Sequence, residues 1–211
     1  DLSDLGSFLN NSSSFGPLLT TLTLRFSVGR FSDDLFIELD KAIAQNLKHL
    51  KGIYLEIKAK NIKPFGHHIS AQLKNLEAFQ LNFIGSGLTC VDFELFAKGM
   101  SKDFIGLKKL ELGFRQSILM ENGEALKQFI KEIFCIKSKK FTGLILDFEN
   151  SQTTEEIMKE LLSEIENHAN QLENFSLDLT DCQDISIQFR SSWIERLKAK
   201  SISQVIIHGI E

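Results

Sequence analysis

The side chains best able to do chemistry in this sequence are few and scattered. His67 and His68 are adjacent, and neighbours on a helix point about 100° apart, whereas a shared metal ion needs ligands three or four residues apart. The pair reads as exposed helix residues or one packed histidine. Cys90, Cys135 and Cys182 are odd in number, and no CxxC or Cys/His spacing accompanies them. That pattern indicates neither a zinc site nor a disulfide framework, and a reducing compartment is the default. The cysteines read as small core hydrophobes, Cys135 above all because it ends an apolar helical run. Gly85-Ser86-Gly87 lacks the Lys-Ser/Thr ending of a phosphate loop and the spacing of a dinucleotide fingerprint, so it reads as a turn. No residue is assigned a catalytic, cofactor-binding or metal-ligating role, and the chain is expected not to be an enzyme. Glu56, Glu111, Asp147, Glu149 and Asp178 differ from these, because they sit at related places in a repeat. Their chemistry is that of recognition.

The repeat is what must position them. Leu19-Leu22-Leu24-Phe26, Leu50-Ile53-Leu55-Ile57, Leu76-Phe79-Leu81-Phe83 and Leu107-Leu110-Leu112-Phe114 share one spacing of apolar residues. Phe141-Leu144-Leu146-Phe148 and Leu172-Phe175-Leu177-Leu179 continue it, and Ile202-Val205-Ile207 is a weaker last copy. Successive starts lie 31, 26, 31, 34, 31 and 30 residues apart. Periods of this size point to a solenoid. The last three apolar positions of each copy alternate with mostly polar residues, as in a strand with one buried and one wet face. Phe31, Ile62, Leu88 and Leu119 follow in the first four copies as plugs of the turn that leaves the strand; copies five and six lack an apolar residue there.

Between the strands the period becomes helical. Leu35, Leu39, Ile43 and Leu47 stand four apart, as do Ile157, Leu161, Ile165 and Ala169, with Leu126, Ile130 and Phe134 alike. Ser32 and Asp33 precede the first helix, and Ser151 to Thr154 precede another whose first turn holds Glu155 and Glu156. These are start signals that satisfy free amides and suit the helix dipole. Further helices are expected near 62–73, 91–102 and 187–198.

A unit of one strand and one helix is too small to bury its own apolar face, and stacking the units in one parallel sheet closes the core. The expected fold is therefore α/β: a horseshoe solenoid of about seven repeats. One parallel sheet forms its concave face and helices its convex face. A single domain spans 1–211, with 1–17 a partial N-terminal repeat, 18–201 six strand–helix repeats and 202–211 a final strand. The rival is a β/α barrel, whose strands are buried on both faces. Arg25, Glu56, Asn82, Glu111, Asp147 and Asp178 at alternate positions count against it.

The strand spacing also forecasts rows across the wet face, with neighbours about 5 Å apart. One row reads Arg25, Glu56, Asn82, Gly113, Asp147, Asp178, His208; the next outward reads Ser27, Lys58, Ile84, Arg115, Glu149, Thr180. The row before holds Tyr54, Glu111, Ile145 and Ile206, and aromatic and apolar residues of this kind anchor interfaces. Tyr54, Glu56, Glu111, Ile145, Asp147, Glu149, Asp178 and Ile206 are the expected partner-binding set. The partner patch is expected to be basic where it meets Asp147, Glu149 and Asp178. His208 beside Asp178 has no nucleophile, so it reads as a surface pair.

Leu107-Lys108-Lys109-Leu110-Glu111-Leu112 and Leu19-Thr20-Thr21-Leu22-Thr23-Leu24 resemble the LxxLxL strand signature of leucine-rich repeats of the ribonuclease-inhibitor type. Gly123, Leu126 and Ile130 resemble its helix signature. More narrowly, Leu5-Gly6-Ser7-Phe8-Leu9, a gap, then Leu19 to Phe26 are similar to the repeat arrays of ciliate proteins catalogued with kinase domains. The resemblance implies a solenoid scaffold that binds protein. It implies no catalysis, since no kinase motif is present. Such repeats carry an Asn after the strand that bonds successive backbones; here Ser86, Ser117, Ser151 and Cys182, with Gly29 and Lys60, stand at that place.

Composition narrows the partners. A net charge of -4 gives no electrostatic footprint for nucleic acid or an anionic membrane surface. No apolar run reaches the length of a membrane span. The expectation is an intracellular, cytoplasmic scaffold or complex subunit without cofactor, in a longer chain or larger assembly; entry into an organelle through a removed presequence is the alternative. The other functional readings are a purely architectural subunit and a β/α-barrel enzyme using Glu149, Asp181 and Asp184 on a small molecule.

Overall fold

The computed structural model describes residues 18–26, 33–57, 67–84, 89, 92–93, 96, 98, 103–118 and 123–209. The expectations for residues 1–17, the four turn plugs, Ser27, Gly29, Lys58, Lys60, Gly85 to Gly87 and Cys90 lie outside that set.

Each apolar copy forms a strand: β1 (Thr21–Phe26), β2 (Gly52–Ile57), β3 (Ala78–Ile84), β4 (Lys109–Arg115), β5 (Gly143–Asp147), β6 (Asn174–Asp178) and β7 (Gln204–His208). They build one all-parallel sheet whose spatial order is the chain order, β1 to β7. Five α-helices alternate with them among the described residues: α1 (Asp33–Asn46), α2 (His67–Gln72), α3 (Gly123–Phe134), α4 (Glu155–Asn167) and α5 (Ile187–Lys198). Asp92, Phe93, Phe96 and Lys98 are helical as well, inside the segment expected at 91–102.

The strand positions expected inward, from Ile53 to Ile207, are buried in one cluster with the apolar helix faces, among them Ile43, Leu126, Ile130 and Leu161. Thr154 caps α4 by accepting the Ile157 amide at 3.4 Å, and Ser186 caps α5 from Phe189 at 3.1 Å. Both satisfy an amide that the first helical turn leaves free. Cys135 departs from expectation: it is exposed, while Ile130, Ile133 and Phe134 fill the core. It lies just past the last residue of α3 and is turned about 100° from Phe134, away from the apolar stripe.

The described turns after β4 to β7 share one backbone feature. Gln116, Asn150, Asp181 and Gly209 occupy one place in four successive copies, and all have positive φ, between 55° and 91°. At Gly209 a Cβ would stand 2.7 Å from the Arg190 guanidinium and 3.0 Å from Leu179 O, so this copy lacks the room for a side chain that Gln116, Asn150 and Asp181 have. In two of these copies the side chain of the next residue bonds to the preceding turn, whereas the buried Ser117 hydroxyl has no partner among the described residues. Ser151 donates its hydroxyl to Phe114 O (3.1 Å) and accepts the Ser117 amide (3.2 Å), so it joins its own turn to the preceding one. Cys182 Sγ donates to Phe148 O at 3.2 Å in the same way. Burial pushes the Cys182 thiol pKa up, which keeps the S–H donor in place. In copies five and six Thr153 and Ile185 are buried near the place expected for the plug.

Ser151→Ala strips a buried carbonyl and a buried amide of their partner. It is expected to cost about 2 kcal/mol, measured by urea unfolding; no change in midpoint would show that water or a shifted turn replaces the hydroxyl.

Candidate functional site

Two of the three forecast rows form in register across all seven strands. Arg25, Glu56, Asn82, Gly113, Asp147, Asp178 and His208 are cross-strand partners in sequence, and so are Thr23, Tyr54, Gln80, Glu111, Ile145, Ser176 and Ile206. Most of these side chains are exposed or half-buried, because the pleat turns them away from the helices. Gly113 is buried, and the Asn82 side chain lies across it: a Cβ at Gly113 would meet Asn82 Oδ1 at 2.5 Å.

The expected partner-binding residues divide into two places. Tyr54 and Glu56 line a shallow depression of about 290 Å³ over β1 to β3, together with Arg25 and Asn82. Ile145 and Ile206 line a larger groove of about 490 Å³ over β4 to β7, shared with Lys109, Asn174, Ser176 and Gln204. Gly143, which has no side chain, and the short Ser176 leave the gap between bulkier neighbours. Glu111 lies at its edge and holds Lys109 at 3.1 Å. Lys109, Gly143, Ser176 and Gln204 lie outside the expected partner-binding set; small residues at wet strand positions beside isoleucines are the signal that marks the groove.

Asp147, Glu149 and Asp178 do come together, with a carboxylate oxygen from each within 4.8 Å of the others. Arg115, in the same outward row as Glu149, binds two of them: Nε meets Asp147 at 2.6 Å and Nη1 meets Glu149 at 2.9 Å. The hydrogen bond to Asp147 raises the Arg115 pKa further above its ordinary value. Asp147 Oδ1 also accepts the Glu149 amide (3.0 Å), and Asp178 Oδ1 accepts the Thr180 amide (2.9 Å). These carboxylates therefore shape the strand exits as well as charging the face. Asp178 has no cationic partner among the described residues, and His208 stands exposed beside it.

Asp181 and Asp184 line a separate polar pocket of about 320 Å³ at the strand exits, with Asn150 and Gln152. Glu149 is not among its described lining residues and is tied to Arg115 instead. His67 and His68 are likewise separated in role. His68 Nδ1 lies 2.9 Å from Asp40, whose carboxylate also accepts the amides of His68 (2.8 Å) and Ile69 (3.1 Å). Asp40 is fully buried, and its spacing in α1 gave no hint of this pairing.

Among the described residues no helix is long and apolar enough to cross a membrane. Comparison with protein-family models and with curated proteins gives no match to this chain.

Proposed function

We propose that this chain is a leucine-rich-repeat solenoid that holds another protein against the open face of its sheet, without catalysis. The observation that carries the reading is a face of seven parallel strands in which half the side chains remain wet while the opposite half is packed under helices. Strand order supports it, since doubly wound sheets reverse direction at a switch point and this sheet runs from β1 to β7 without reversal. The recurrent positive-φ residue and the Ser151 and Cys182 ladder support units that each bond to the one before. Solenoids of this kind offer extended concave surfaces to partners. The free thiols of Cys135 and Cys182 fit an intracellular scaffold or complex subunit.

The test is capture of partner proteins by the full chain, compared with face and rear variants. Asp178→Asn with Glu149→Gln removes two charges and keeps an acceptor for the Thr180 amide. Joined to Tyr54→Ser, it is expected to lower recovery of the captured protein about tenfold or more, because truncated interface anchors cost about 1–3 kcal/mol each. Lys159→Glu, on an exposed helical position, is expected to leave recovery unchanged. Equal loss from both, or from neither, would remove the open face from consideration.

A further inference from the structure

We infer that the groove over β4 to β7 receives a protein segment that seats an aliphatic or aromatic side chain between Ile145 and Ile206 and places a lysine or arginine on Asp178. The inference rests on the interaction-surface reading and adds the chemistry of the partner.

Ile145 and Ile206 are both register partners of Ser176, one on each side. Adjacent strands lie about 4.8 Å apart, so the two isoleucines stand about 10 Å apart across the short serine. A ring above Ser176 would lie about 5 Å from each, an ordinary apolar packing distance. The rim of the groove is polar, from Asn174, Gln204 and Lys109. An apolar floor within a polar rim is the anatomy of an interface anchor pocket.

Charge gives the groove a direction. At the strand entrances Lys108 is paired with Glu77 at 2.6 Å and Lys109 with Glu111 at 3.1 Å, and Lys51 and Lys140 also act on Glu77, so these acids are offset by lysines. At the exits the carboxylates of Asp147, Glu149 and Asp178 cluster, and among the described residues Arg115 pairs with Asp147 and Glu149 only, which leaves an excess of two negative charges on this cluster. Asp178 lies two residues beyond Ser176 on the same face, about 7 Å along the strand. The apolar gap and the unbalanced carboxylate are therefore contiguous. One partner side chain of each kind, spaced like alternate residues of an extended segment, meets both. A phosphate-bearing partner would be repelled by the same excess.

A random dodecapeptide display library selected on the immobilised full chain tests this. The expected result is enrichment of peptides with an aromatic or aliphatic residue two positions from a lysine or arginine. Binding of individual enriched peptides is expected to fall about tenfold on Asp178→Asn and on Ser176→Trp, which fills the groove from within, and to weaken as salt rises. If Ser176→Trp does not fold, Ile206→Ala replaces it. Peptides that need the groove but carry no basic residue, and ignore Asp178→Asn, would overturn the inference while leaving the interaction surface standing. Peptides indifferent to every groove variant, or no enrichment over an empty support, overturn the inference as well.

Discussion

Phe114→Ala is expected to lower the free energy of unfolding by about 4 kcal/mol, the range for a fully buried phenylalanine whose site cannot collapse. Phe114 is the last inward residue of β4, and its ring stacks on Phe83 of β3 and on Phe148, just past the end of β5, with centroids 5.9 and 5.6 Å away. From the helical side Phe93 approaches to 4.3 Å and Phe129 to 5.7 Å. All five rings are buried, so removing the central one leaves a void bounded by side chains that already pack on other neighbours. Phe114→Leu keeps most of the volume and is expected to lose about 1–2 kcal/mol. Urea unfolding followed by far-ultraviolet circular dichroism measures both. If units bond mainly to adjacent units, as the solenoid proposal holds, the alanine variant also splits the transition, because the stack is weakened at its middle. A loss below about 2 kcal/mol would mean that the cluster closes over the gap.

Asp40→Ala is expected to cost about 3 kcal/mol. Its carboxylate is the acceptor for two backbone amides at the start of α2 and for the His68 ring, across 28 or 29 residues of sequence. The alanine leaves buried donors without a partner, and donors bonded to charged groups lose about 1.5–3 kcal/mol each when the partner goes. The loss is not the full sum, since α2 is a short helix with a half-exposed His68 and water can reach part of the site. Asp40→Asn keeps one acceptor oxygen and is expected to lose about half as much. His68→Ala removes only the ring contact and is expected to lose about 1 kcal/mol. If Asp40→Ala and His68→Ala prove equally costly, the ring pair and not the helix start is what Asp40 stabilises.

The face that carries the proposed function was readable because it depends on a period of two along each strand. Arg25, Glu56, Asn82, Gly113, Asp147, Asp178 and His208 could be aligned by counting from the apolar residues of each copy, and the sheet pairs them in that order. Counting says nothing about what side chains do once aligned. Arg115 was visible in the outward row beside Glu149, yet its grip on Asp147 and Glu149 depends on side-chain reach between strands 32 residues apart. The groove is similar: Gly143 and Ser176 are unremarkable singly, and become a cavity only because Ile145, Lys109 and Ile206 flank them. Cys135 shows the limit of reading an apolar run by composition, since a step of one residue turns a side chain out of the core.

By itself the sequence determined the α/β class, the seven strands, their parallel register and the division of each strand into a wet and a dry side. All of these follow from local periodicity, which each stretch of chain carries within itself. Only the tertiary structure decided the Asp40 cap, the Ser151 and Cys182 ladder, the pairing of Arg115 and the groove beside Asp178. Each of those is a contact between groups about one repeat apart, made or missed within a few tenths of an ångström, and no spacing along one strand encodes it.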